Sequence, residues 1–213
     1  MADPVSISEA AAPAGTETSL MARLRVATRE PHEALHVAPG LSTLLAETPD
    51  LSRYRTILER FDAFMEMAET QVLIAADPWF EAQGFPRQSR RPHLARDLED
   101  LNRAGIVPAG PALGGDLPTL PTGEGAAMGL LYLSEGSRLG GRTMTRHLAE
   151  VLPPELRSAT RFLGTPGMDL SEQWRRFSVF MDAQGRDPTR ADNAVQAAML
   201  GFSVLADWFQ ETP

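Results

Sequence analysis

Cysteine is missing from all 213 residues, which excludes disulfides, thiolate–metal sites and a cysteine nucleophile and fits a reducing cytoplasm. No apolar run approaches the length of a membrane span, and none is placed like a secretory signal. Basic blocks are missing as well. The formal net charge is −8 and like charges are not clustered, so general nucleic-acid binding is not expected, and an anionic ligand must find a local basic patch. Strand-like alternation, internal repeats and a second domain have no signal anywhere. What is present is a hydrophobic fraction of 43%, enough at this length for one domain with a full core. The expectation is a soluble, cytoplasmic, single-domain protein.

Helical periodicity runs through most of the chain. Residues 1–17 lack it and read as a disordered arm, leaving 18–213 as the domain. Thr18 or Ser19 caps a helix to about Val37, where Pro39–Gly40 stops it. A short turn follows at Leu41–Ala46. Asp50 or Ser52 then caps an amphipathic helix to about Ala76, ended by Pro78, with Leu51, Tyr54, Leu58, Phe61, Met65, Ala68 and Val72 inward. Residues 79–91 read as irregular and His93–Ala104 as helix. A long Gly- and Pro-rich loop over 105–123 leads to a helix ending near Val151. Short helix over Glu155–Phe162, a helix capped at Asp169 or Ser171 and running to Gln184, and a final helix from Thr189 to Phe209 complete an all-α bundle of seven to eight helices. In the last, Ala198, Phe202, Leu205 and Phe209 face inward.

The helix that begins at Gly125 is the unusual one. Met128, Leu131, Leu133, Leu139 and Met144 recur at helical intervals, yet Gly125, Gly129, Gly136, Gly140 and Gly141 interrupt them. Each interior glycine costs about 1 kcal/mol against alanine. At 100° per residue, the first four fall within about 40° of one direction. One face is therefore a strip of bare backbone, which either admits another helix at close range or lets a flat ligand lie against the main chain. Both readings stand at this point. Glu135 and Arg138 beside the strip read as a surface ion pair.

Of the four histidines, His32 lies about 80–90° round the first helix from its core direction, set by Leu24, Thr28, Pro31 and Leu35. Arg25 and Arg29 stand beside it, further towards solvent. An apolar ligand with a central metal and anionic arms suits that grouping: the imidazole takes the metal and the guanidiniums pair with carboxylates. The plain alternative is an amphipathic helix with its basic face in water. His147 falls on the glycine face nearly two turns beyond Gly140 and is a rival ligand; His93, at a helix start, reads as solvated.

Three stretches together, ATREPH in the first helix, LLYLSEGSRLGG in the long one and MLGFSVLADWF in the last, resemble the bacterial heme oxygenases. The similarity is greatest to the branch associated with bacteriophytochromes and covers about residues 18–211. The resemblance implies that His32 is the proximal ligand to heme iron. It implies that Gly136, Ser137 and Gly140 form the distal, catalytic side, with Leu133 and Thr28 lining the cofactor. Arg25 and Arg29 match positions with basic residues near the propionates, and Arg175 or Arg176 adds another. The implied reaction converts heme, both substrate and cofactor, to biliverdin, carbon monoxide and iron with O2. The implied partners are a ferredoxin or reductase as electron donor and a bacteriophytochrome as receiver of biliverdin, with no nucleic acid or membrane.

Three departures from the family pattern bear on catalysis. Ser137 stands where well-known members carry a distal Asp, and a hydroxyl anchors water without holding charge. His36 replaces a carboxylate four residues after His32, changing the partner available to its imidazole and adding a second one on nearly the same face. Pro31 removes an amide and should kink the helix just before His32. These favour, as the alternative, a heme-binding or carrier protein on the same fold. Two further readings are a helical interaction protein, whose glycine strip only packs helices so that Gly140→Ala lowers stability, and a two-metal site using Glu59, Glu66, Glu69 and Glu135.

Overall fold

A computed structural model describes residues 19–110 and 117–210; the arm expected over 1–17 and the cap candidate Thr18 lie outside them. The described residues form helices and loops with no strand. In order these are α1 (Leu20–Ala27), α2 (Arg29–Val37), α3 (Pro39–Ser42), α4 (Leu51–Ala68), α5 (Ile74–Ala82), α6 (Arg91–Arg103), α7 (Glu124–Val151), α8 (Arg161–Gly164), α9 (Leu170–Gln184) and α10 (Pro188–Gln210). With α1–α2 and α4–α5 each taken as one bent rod, that makes eight helices, within the number expected. Asp50 and Asp169 are the caps of α4 and α9, each accepting two amide hydrogens from the first turn. The inward stripes of α4 and α10 are buried as their periodicity requires, except Leu51 at the start of α4, which is half-buried.

The first helix is kinked, but three residues before the proline. The Thr28 amide and hydroxyl both donate to the Leu24 carbonyl, at 2.9 and 2.8 Å, which closes α1. Pro31 then falls in the first turn of α2, where a missing N–H costs no helical bond. The helix expected to end at Pro78 instead continues to Ala82. A π-turn over Glu69–Leu73 precedes it, and Ile74 and Pro78 are both exposed, so the carbonyl lacking its amide partner faces water. Arg87 ties this bent segment together, donating to Glu69 at 2.8 Å and to both Asp77 oxygens at 2.8 and 2.9 Å. Gln71, inside the π-turn, holds the end of the long loop by bonding the Pro118 carbonyl and the Leu120 amide. Residues 155–162 are not one helix: a 3-10 turn (Pro154–Leu156) and a bend precede α8, whose start is capped by the buried Asp97.

The longest helix, α7, packs against α10, and the two run in the same direction. Gly125 lies against Arg190 and Asn193, Gly129 against Ala194 and Ala198, and Leu133 against Gly201. On its other sides α7 is flanked by α8, where the Gly141 backbone meets that of Leu163, and by α9, where Tyr132 packs on Trp174. Among the described residues, Gly136 and Gly140 in the second half of the glycine face have no such neighbour.

Candidate functional site

The glycine strip divides into two halves with different roles. A Cβ on Gly125 would stand 2.6 Å from the Arg190 carbonyl oxygen, and one on Gly129 would stand 2.8 Å from the Ala198 nitrogen. Real Cβ atoms do not approach so closely, so these two glycines serve helix packing. A Cβ on Gly136 or Gly140 meets nothing within 4 Å. Among the described residues Gly140 therefore has no packing partner. Leu139, one of the apolar residues at helical intervals, is 41% exposed on this side of α7.

The open stretch has defined ends. At one end the Leu133 side chain touches Gly201, whose neighbour Phe202 carries the His32 ring at 5.5 Å between centroids. At the other end His147 Nε2 lies 2.9 Å from the Ala46 carbonyl oxygen. From Leu133 to His147 is roughly 20 Å along the helix axis. The segment from α2 to Ala46 thus reaches both ends, and His32 projects from it. His147 is engaged at the margin of the groove by a main-chain carbonyl.

His32 is exposed at its outer side, while its inner side is desolvated against Phe202 and beside His36. That burial, then the neighbouring His36, lowers its pKa against the smaller opposing effect of Glu33. The neutral imidazole is the form that binds metals. Arg25 and Arg29 are exposed and make no ion pair among the described residues. Thr28 is buried with its hydroxyl spent on Leu24, and Leu133 is buried in the core. Arg175 pairs with Glu172 at 2.7 Å. With Arg176 it lines a cavity of about 330 Å³ whose other walls include Gln83, Phe85 and Phe180, a set distinct from the residues around His32.

Beside the groove lies a buried polar network that sequence reasoning did not find. Arg90 is 1% exposed. It donates to Ser137 Oγ, to the Ser134 carbonyl at 2.9 Å and to the Phe162 carbonyl at 2.6 Å, and it stacks on the Phe162 ring. Desolvation, with Arg138 nearby, pushes its pKa down to about 9, so it remains cationic at neutral pH. The Glu135–Arg138 pair forms at 3.1 Å but is buried, covered by Gln173, Thr165 and Gln88 rather than lying on the surface. His93 is half-buried against this network instead of solvated, and burial followed by four arginines lowers its pKa. The only signal for Arg90 in the sequence was one arginine among several in an irregular stretch.

The carboxylates considered for a two-metal site each have their own cation: Glu59 pairs with Arg55, Glu66 with Arg91, Glu69 with Arg87 and Glu135 with Arg138. Among the described residues no three His, Asp or Glu side chains gather as a metal site. No helix among them is long and apolar enough to cross a membrane.

Comparison with known proteins points the same way. The sequence profile of the family described as heme oxygenase matches residues 18–211. A heme oxygenase of Xanthomonas campestris pv. campestris (strain 8004) is 26% identical over 157 residues, covering 72% of this chain and 87% of the relative. Among solved structures, the heme oxygenase of Neisseria meningitidis, studied with NO and CO bound, superposes with a TM-score of 0.70 at 22% identity, covering 91% of this chain and 92% of the other. That of Leptospira interrogans gives 0.69 at 17% identity, covering 91% and 99%. The two structural likenesses establish the fold.

Proposed function

The chain belongs to the heme oxygenase family, and we propose on that premise that heme is seated between His32 and the open half of the α7 glycine strip. The observation that carries this reading is the division of the strip. Two glycines are explained by α10, while Gly136 and Gly140 border space that a side chain would fill. The residues present therefore fit a flat macrocycle. Bound heme supplies the iron at which O2 is activated, and it is itself the molecule opened to biliverdin, carbon monoxide and iron.

The protein's part is to seat, steer and hydrogen-bond. His32 would hold the iron through its imidazole, and Phe202 behind it limits the directions the ring takes. Arg25 and Arg29, exposed and one to two turns before it, are placed to pair with propionate carboxylates. Ser137 has its hydroxyl hydrogen directed at the Ser134 carbonyl at 2.9 Å and receives a hydrogen bond from Arg90. One lone pair remains, so towards the groove Ser137 acts as an acceptor that orients a water. The buried Arg90 guanidinium fixes the orientation of that hydroxyl. Electrons come from a ferredoxin or reductase, and the sequence resemblance supports a bacteriophytochrome as the receiver of biliverdin.

Hemin titration followed by single turnover with ascorbate or a ferredoxin system tests the proposal. Stoichiometric uptake and a bilin product are expected. Uptake with no bilin would leave the second reading, a heme carrier. Ser137→Ala is expected to take up hemin as the wild type does and to form bilin roughly tenfold more slowly, the scale of an outer-shell loss. An unchanged single-turnover rate would remove Ser137 from the distal machinery.

A further inference from the structure

His32 and His36 are four residues apart on α2, in the run His32–Glu33–Ala34–Leu35–His36. That spacing stacks both imidazoles on one face of the helix, and the H-E-x-x-H pattern is the one by which helical histidine pairs hold zinc. In the structure the two ring centroids are 4.4 Å apart, with planes at 74°. Both residues are exposed, so turning their nitrogens towards a common point disturbs only the edge contact of His32 with Phe202. Neither ring makes a hydrogen bond among the described residues, whereas His147 is held by Ala46. Phe202 backs the inner side of His32, leaving the side towards His36 open. Glu33 is close enough to act on the charge of His32, and with Glu30 it offsets the positive charge of Arg29.

We propose that His32 and His36 form a two-imidazole chelate for a divalent first-row transition cation such as Zn²⁺, filled when heme is absent and incompatible with heme at His32. Imidazole nitrogens suit these cations, and waters complete the coordination sphere at the exposed face. The chelate itself stands on the geometry of α2 alone; its exclusion of heme rests on His32 being the heme ligand. A cell with free zinc would then hold the protein closed to heme until heme competes for the shared imidazole.

Zinc chloride titrated calorimetrically into tag-free protein, in a buffer that does not chelate, tests the chelate. One equivalent is expected to bind saturably at micromolar concentrations. His36→Ala and His32→Ala should each weaken this at least tenfold, with helix content by circular dichroism unchanged. A second titration adds hemin at fixed zinc. The hemin needed for half-saturation rises in the wild type and stays put in His36→Ala. No saturable zinc binding, or equal binding by His36→Ala, overturns the chelate. Zinc and hemin bound together without mutual effect overturns the exclusion. If hemin fails to bind the zinc-free wild type, the heme reading falls and the chelate is judged by the first titration alone.

Discussion

Replacing His32 by alanine is expected to abolish the imidazole-ligated Soret band of the hemin-reconstituted protein. Loss of a second-shell partner typically costs a metal site about 10–100-fold, so loss of the ligand itself should exceed that in hemin affinity. Exogenous imidazole, entering the space vacated beside Phe202, should restore the ligated spectrum without restoring the original affinity. Helix content and thermal midpoint should stay near wild type, because the ring is exposed and its removal opens no cavity in the core. An unchanged absorption spectrum in His32→Ala would assign the iron to another residue. His36, on the same face, is the immediate candidate, and His147 the more distant one.

The second large effect separates the two halves of the glycine strip. Gly129→Ala drives a methyl group into main-chain atoms of α10, at Ala194 and Ala198. Main chain in the middle of a helix cannot rotate aside as a side chain does, so α7 and α10 must move apart. The expected loss is about 3 kcal/mol, the upper end of ordinary overpacking. Gly140→Ala adds its methyl group to open space and gains helix propensity. It should stabilise the heme-free protein by up to about 1 kcal/mol while weakening hemin uptake. Urea unfolding of both variants, with hemin titrations alongside, gives opposite signs if the strip is divided as described. Destabilisation by both would mean that the whole strip packs helices.

Much of this was legible before any coordinates. The inward stripes of α4 and α10, the caps at Asp50 and Asp169 and the length of α7 follow from local periodicity and turn chemistry. The joints were harder. Thr28 closes α1 through its own hydroxyl, a local bond that a wheel projection centred on Pro31 does not weigh. Pro78 survives inside a helix because its side faces water. For the site, Gly125–Gly129 and Gly136–Gly140 repeat the same four-residue spacing, so nothing local distinguishes the filled half from the open half. Only the path of α10 does. Arg90 was illegible for a related reason: charge predicts a surface position, and its burial depends on carbonyls of Ser134 and Phe162 that distant segments bring to it.

The parallel seam between α7 and α10 has a mechanical consequence. It clamps α7 from Gly125 to Leu133, while the following turns of the glycine face meet no opposing helix among the described residues and are held from their other sides, by Arg90 on Ser134 and Ser137 and by Leu163 against Gly141. If heme is seated as proposed, fitting the ring and its bulkier, non-planar ring-opened product falls to the side of α7 that α10 leaves uncovered, and the seam itself need not change.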